Sequence, residues 1–124
     1  MIIVNNIQLD FDITSPTDML RYKEAGERME AAGAELSLPE IDTDDPKFMD
    51  SYIEMLNIEL RLFGNFIDDI FGDGTAEQLL GNNPSLMKVT EINEVLGAAM
   101  EEQGKAYGVK LQRYKPNRAT RRAK

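Results

Sequence analysis

The amino-acid sequence predicts a mainly α-helical protein: a small N-terminal strand or hairpin, then a three- to four-helix domain, then a basic and partly disordered C-terminal tail. Apolar residues recur at spacings of three and four over much of the chain, which is typical of helices packed on a core. A residue that favours the helix N-cap stands before proline at three places, and this pair marks helix starts. We therefore predict one domain over residues 1–112 and a flexible basic tail over residues 113–124.

Residues 2–13 are predicted to form the strand or hairpin. From Ile7 to Ile13 every second residue is apolar and the residues between are polar, which is the pattern of a half-buried strand. Asn5-Asn6 separates this stretch from the apolar start of the chain, and asparagine is favoured in tight turns. A small hairpin is therefore an alternative to a single strand.

The first helix is predicted to begin at Ser15-Pro16, because serine favours the N-cap and proline the first helical position. Apolar and small residues give it one narrow face, and it should end near Ala34 or Glu35. Residues 37–45 are then predicted to form an acidic loop. This loop lacks the glycine and the ligand spacing of a calcium-binding loop, so we predict that its acids are solvated.

The second helix is predicted to run from Asp45-Pro46 to about Phe71 and to be the core helix, because its apolar residues keep helical spacing throughout. Its apolar stripe is wider than one packed face needs, so a partner chain would cover part of it. The candidate partner-binding residues on this stripe are Phe63, Phe66, Ile67 and Phe71. Packing in the protein's own core is the alternative interpretation of the same residues.

Two further helices are predicted. The glycines at residues 72–74 end the core helix, since glycine adopts the left-handed conformation of C-terminal caps. Residues 75–78 have the capping-box pattern, with Thr75 as the N-cap, and predict a short helix. The last main helix is predicted to start at Asn83-Pro84 and to end at one of the glycines in residues 104–108.

Charge is distributed unevenly along the chain. Residues 1–104 hold all 22 acidic residues and six basic ones, whereas residues 105–124 hold eight basic residues and no acidic one. The acidic body would repel nucleic acid and the tail would attract it. Three interpretations remain open: the tail folds onto an acidic body, its own or a neighbour's; it binds a protein partner; or it binds nucleic acid. The candidate tail residues are Arg118, Arg121 and Arg122.

Residue chemistry excludes several classes of function. The chain has no cysteine, histidine or tryptophan, so it cannot build thiolate or imidazole zinc sites or histidine-dependent triads. The adjacent carboxylates Asp68-Asp69 and Glu101-Glu102 stand on predicted helices, where neighbours point about 100° apart, and we predict that they are surface residues. No segment has the length of a signal-peptide core or a membrane span. We therefore predict a soluble cytoplasmic protein that is not an enzyme and binds no metal or cofactor.

Two motifs resemble tail assembly chaperones of long-tailed, siphovirus-type phages and prophages of Gram-positive bacteria. The first motif lies at residues 71–81 and resembles a stretch in small proteins encoded in tailed-phage and prophage tail operons. Its sequence is Phe71-Gly72-Asp73-Gly74-Thr75-Ala76-Glu77-Gln78-Leu79-Leu80-Gly81. The second motif is the end of the chain, which resembles the "NRA-x-RRA" ending common in that chaperone family. Its sequence is Tyr114-Lys115-Pro116-Asn117-Arg118-Ala119-Thr120-Arg121-Arg122-Ala123-Lys124. The N-terminal strand and the order of elements are similar too, so the resemblance covers nearly the whole chain.

The resemblance implies a non-enzymatic role in the host bacterial cytoplasm. Such a chaperone binds the tape measure protein and keeps it soluble until tail-tube protein polymerises around it. The expected partners are the tape measure protein, the major tail (tube) protein and further copies of the chain, but neither nucleic acid nor a membrane. The alternatives are a structural minor tail or head–tail connector protein, a small nucleic-acid-binding regulator that uses the basic tail, and an unrelated bacterial helical adaptor.

Overall fold

The computed structural model describes residues 2–36 and 42–108, and it confirms the predicted fold class. Within these residues the chain is mainly helical, with a two-stranded hairpin followed by four helices. The elements are β1 (Ile2–Val4), β2 (Ile7–Leu9), α1 (Pro16–Glu35), α2 (Phe48–Phe71), α3 (Thr75–Leu80) and α4 (Leu86–Tyr107). The predicted tail over residues 113–124 and most of the predicted acidic loop lie outside the described residues.

The N-terminal segment forms a hairpin. β1 and β2 pair antiparallel, with Ile2 opposite Leu9. Asn5 and Asn6 have φ values of 51° and 66°, the left-handed conformation that a type I′ hairpin turn requires at both central positions. A two-stranded hairpin is marginal on its own in water, and here β1 packs against α4, which buries Ile2 and Val4.

Residues 10–13 are not strand, contrary to the prediction. Phe11 and Ile13 are nevertheless buried, and a side chain from α4 bonds their backbone instead of a neighbouring strand. The Gln103 amide accepts a hydrogen bond from the Ile13 N–H and donates one to the Phe11 carbonyl, each 3.0 Å long. The alternating apolar pattern in this stretch therefore reflects burial, whereas the hydrogen bonds come from a helix.

The predicted limits of α1 are confirmed. Ser15 is the N-cap, its Oγ accepts the Asp18 N–H at 3.3 Å, and the helix ends at Glu35. Proline at the first helical position loses no hydrogen bond there, since the first turn has no intrahelical partner for its N–H.

α1 and α2 pack side by side and run in opposite directions. Tyr22, early in α1, contacts Phe66, late in α2, with ring centroids 6.1 Å apart. Leu36, directly after α1, lines one groove together with Ile53, which stands in the first half of α2. The first half of α2 therefore lies beside the C-terminal end of α1.

The predicted start of α2 at Asp45-Pro46 is wrong by two residues. Asp45 Oδ1 accepts the Lys47 N–H at 2.8 Å, and the Asp45 carbonyl accepts the Phe48 N–H at 2.9 Å. These bonds close a turn before the helix, which begins at Phe48 without a side-chain cap. The predicted end at Phe71 is confirmed, and Gly72 follows it at φ 110°.

α3 begins differently from the prediction. Gly74, at φ 88°, is the N-cap and Thr75 is the first helical residue, so the capping box does not form. The Asp68 carboxylate of α2 accepts the Ala76 N–H at 2.9 Å instead. Ala76 also faces Gly64, where an added Cβ would lie 3.8 Å from the alanine Cβ. α3 therefore turns back along the second half of α2.

α4 begins at Leu86, two residues after the predicted Asn83-Pro84. Ser85 is the N-cap, and its Oγ accepts the Lys88 N–H at 3.2 Å. The Lys88 ammonium group donates to the Leu80 carbonyl at 3.1 Å, which ties α4 to the end of α3. The helix ends at Tyr107, within the predicted range, and Gly108 follows at φ 69°.

The core lies between the hairpin, α1, the second half of α2, α3 and α4. The largest side chains that are fully buried there are Phe11, Phe63, Phe66, Ile2, Ile67, Ile70, Ile92 and Val4. They come from elements far apart in the sequence, so the described elements form one packed unit.

Candidate partner-binding surface

The four predicted stripe residues lie in or against the protein's own core. Phe63, Phe66 and Ile67 are at most 1% exposed. Phe71 is half-buried, and its ring stands edge-on to Phe11 with centroids 5.7 Å apart. In this fold these side chains pack as the core interpretation predicts, and a partner would reach the three buried ones only if the helices separated. Their role in partner binding stays a prediction.

The three predicted tail residues, Arg118, Arg121 and Arg122, lie outside the described residues. The structure therefore does not test their role. Of the eight basic residues in residues 105–124, the structure describes Lys105, which lies in the last turn of α4 and pairs with Glu102 at 3.4 Å.

A different part of α2 is exposed. In residues 48–57 only Met55 is buried, because α3 and α4 pack on the second half of the helix. Met49 is 59% exposed, Ile53 48% and Tyr52 38%, and Leu56 is half-buried. These four residues stand at positions i, i+3, i+4 and i+7, so they share one side of the helix. We call them the exposed α2 face.

A groove extends the exposed α2 face toward the end of α1. Its apolar lining comes from Leu36, Ile53 and Ile58, and its polar lining comes from Asp50, Glu54, Asn57 and Arg61. Next to it the Phe48 and Tyr52 rings stack on each other with centroids 5.9 Å apart. The surface therefore combines an apolar stripe with charged groups at its border.

The border of this surface is acidic. Residues 42–54 contain five acidic residues (Asp42, Asp44, Asp45, Asp50 and Glu54) and one basic residue, Lys47, for a net charge of −4. All five are exposed, and none forms an ion pair within residues 2–36 and 42–108. Arg61 lines the groove with Asp50 and Glu54 but forms no ion pair with them among the described residues, so a cationic partner would meet several unpaired carboxylates here.

Other exposed apolar residues do not form a stripe along one helix. Ile3, Leu20, Met87, Val95 and Tyr107 lie on the hairpin, α1 and α4, and no two of them are adjacent along a helix face in the way the exposed α2 face is. Single exposed apolar side chains are normal on soluble proteins, whereas a contiguous set suggests a binding surface. The exposed α2 face is therefore the strongest candidate site among the described residues.

The adjacent carboxylates of α2 have structural contacts. Asp68 accepts the Ala76 N–H, and Asp69 pairs with Arg28 of α1 at 3.1 Å. Within residues 2–36 and 42–108 no group of three or more acidic side chains is placed to hold a metal ion. None of the helices described there is long and apolar enough to cross a membrane.

Sequence periodicity contained the signal for the exposed α2 face but did not locate it. The stripe runs along the whole of α2, and the sequence-based prediction of a candidate site falls on its aromatic second half. Which half remains uncovered depends on where α3 and α4 pack. That is a property of tertiary structure, and the spacing of apolar residues does not determine it.

The described residues thus define a small, mainly helical protein with one uncovered apolar helix face bordered by acids. The chain belongs to a family of unknown function, DUF6673, whose family model matches residues 5–124. No curated protein and no solved structure was found to match it.

Proposed function

We propose that this chain is a tail assembly chaperone of a long-tailed phage or prophage of Gram-positive bacteria. In this role it binds the tape measure protein in the host cytoplasm and keeps it soluble during tail assembly, without catalysing a reaction. The observation that carries the proposal is the exposed α2 face. The resemblance of residues 71–81 and 114–124 to that family gives the partner its identity.

The exposed α2 face suits an apolar helix of a partner. It presents apolar side chains along about 10 Å of helix, since seven residues separate Met49 from Leu56 and each adds about 1.5 Å. A partner helix that places its own apolar side chains at the same spacing would pack along it, in the way amphipathic helices fill grooves. The neighbouring groove between Leu36 and Ile53 would accept one further side chain.

The negative charge of the body supports the proposed role of keeping a partner soluble. The whole chain carries a net charge of −8, and residues 1–104 carry all of its acidic residues. Copies with like charge repel one another in solution, which favours solubility. A complex coated with such a protein would carry that charge on its outside, while the apolar segments of its partner are covered.

Co-expression with the tape measure protein, whose gene should lie directly downstream, tests the proposal. We expect the chain to co-purify with that protein and to suppress its light scattering. Ile53→Asp should weaken the complex about tenfold or more, because it places a charge where about half of a large apolar side chain would be buried. Val95→Asp is the matched control, since Val95 is 41% exposed on α4, outside the exposed α2 face.

Two results would contradict the proposal. If the tape measure protein precipitates while this chain stays alone in solution, the chaperone role fails. If the chain is found in purified phage particles in fixed copy number, it is a structural component, because a chaperone leaves before the tail is complete.

A further inference from the structure

We propose that the basic tail of a second copy of this chain docks on the exposed α2 face. In this contact the apolar tail residues Val109, Leu111 and Tyr114 pack against the face, and the basic tail residues approach its acidic border. The inference rests on the proposed function in one respect, since it takes the exposed α2 face to be the surface that binds the partner. The tail would cover this surface before the partner binds.

Charge complementarity is the first argument. Residues 109–124 contain seven basic residues and no acidic one, and residues 42–54 carry a net charge of −4. The carboxylates at the face have no ion-pair partner among the described residues, so bases from another segment would meet unsatisfied negative charge there. Contacts of this kind weaken with salt, because exposed charges are screened over about 10 Å at 0.1 M ionic strength.

Apolar complementarity is the second argument. The tail residues Val109, Leu111 and Tyr114 stand among bases, so the segment combines apolar and cationic groups. The exposed α2 face has the matching combination of apolar and anionic groups. The other exposed apolar residues on the helices of the described chain do not form a stripe of this kind: Leu20 and Val95, for example, each stand on a different helix.

The place where α4 ends decides between the chain's own tail and a neighbour's. Gln103 contacts the backbone of Phe11, and the Phe11 ring contacts Phe71 at the end of α2. The tail therefore leaves the body beside the C-terminal end of α2. Ile53 lies 18 residues earlier in that helix, which corresponds to about 27 Å along its axis.

The apolar part of the tail is too short to cover that distance. An extended chain spans at most about 3.3–3.6 Å per residue, so Leu111, three residues after Gly108, reaches about 11 Å. Tyr114, six residues after Gly108, reaches about 22 Å. Leu56, the residue of the face nearest the tail, lies about 22 Å before Phe71, so within one molecule Tyr114 reaches at most this near end and Leu111 stays short of it. The tail of a second copy can place its apolar residues directly on the face.

This geometry gives a head-to-tail contact. The tail leaves one end of the molecule and the exposed α2 face lies toward the other, so each copy offers one of each. Contacts between unlike surfaces generate rings when the rotation closes and open chains when it does not.

Cysteine cross-linking tests the contact, since the natural chain has no cysteine. One full-length variant carries Ile53→Cys, and a second, made with a size tag, carries Leu111→Cys. They are mixed at micromolar concentration and low salt and then oxidised, with no tape measure protein present. We expect the mixed disulfide to form at least about tenfold faster than with Leu20→Cys in place of Ile53→Cys, because docking raises the local concentration toward millimolar. Leu20 is 54% exposed, so access is matched.

Self-association can also be measured without introducing cysteine. Sedimentation of the natural chain should show self-association at low salt, and the variant with Lys110→Gln, Arg113→Gln and Lys115→Gln should remain monomeric. Equal cross-linking at Ile53 and Leu20, together with a natural chain that stays monomeric at low salt, overturns the inference. So does a single chain with both Ile53→Cys and Leu111→Cys that closes an internal disulfide. Each of these outcomes leaves the proposed function standing.

Discussion

The Gln103 side chain offers the most direct test of how the hairpin is held. Gln103→Ala removes the acceptor for the Ile13 N–H and the donor for the Phe11 carbonyl, two bonds of 3.0 Å. Both residues are buried, so the two backbone groups lose their partners at a place with little water. Each unsatisfied group costs about 1–3 kcal/mol, and partial hydration puts the pair near the low end, about 2 kcal/mol together. At this chain length that corresponds to a fall of about 8 °C in Tm.

Thermal unfolding followed by circular dichroism measures this effect. Gln78→Ala is the control, because Gln78 is an exposed helical glutamine whose side chain forms no hydrogen bond within the described residues; it should shift Tm by less than 2–3 °C, equivalent to about 0.5 kcal/mol or less. Gln103→Glu is more discriminating. Its carboxylate can accept a hydrogen bond from the Ile13 N–H, but only its protonated form can donate one to the Phe11 carbonyl. The difference in Tm between this variant and the natural chain should therefore shrink as pH falls below about 4. Equal Tm values for all three variants and the natural chain would refute the reasoning.

Three further predictions follow from the structure. Gly64→Ala should raise the free energy of unfolding by up to about 1 kcal/mol in a denaturant titration, because the added methyl meets Ala76 at 3.8 Å and alanine favours a helix. Phe63→Ala should lower it by about 3–5 kcal/mol, because Phe63 is fully buried; an unchanged stability would show that its ring does not pack in the core. Hydrogen bonds from the Thr14 side chain and N–H lower the pKa of Asp12 in the folded protein. The ionised Asp12 therefore stabilises the fold above its ordinary pKa of 3.8, and this stabilisation disappears as pH falls through the lower pKa of the folded state. In an NMR titration Thr14→Ala should raise the pKa of Asp12 in the folded protein.

Helix starts show how far local sequence determines structure. Ser15 caps α1 as predicted, because its only requirement is a nearby N–H of the same helix. Before α2, the same type of signal failed because Asp45 bonds Lys47 in a turn of its own. Before α3, the predicted cap failed because Asp68, already fixed in α2, supplies the acceptor. Local patterns predict a helix start well only when no competing acceptor lies within reach.

The candidate site shows a stronger dependence on tertiary structure. Apolar spacing placed α2 at the centre of the protein correctly. It could not show that α3 folds back beside Gly64 and leaves residues 48–57 uncovered. It also gave no sign that Glu59, a charged residue, would be buried within this helix. Both features depend on which elements pack against α2.

The strength of binding that the exposed α2 face allows bears on how the protein would work. Fully burying a large apolar side chain contributes about 1.5–3 kcal/mol, and the three most exposed residues of the face are each already about half-buried. Covering them would therefore contribute about 3–4 kcal/mol, which corresponds to a millimolar Kd even before the entropy lost on association is subtracted. A single copy would bind an apolar helix weakly. Copies held together by a contact that leaves the exposed α2 face free would bind a long partner through many such contacts at once, and such linkage raises the overall affinity by orders of magnitude. The tail contact occupies that face, so it competes with the partner. Variants that abolish the tail contact should therefore leave the exposed α2 face more accessible to a partner helix, not less.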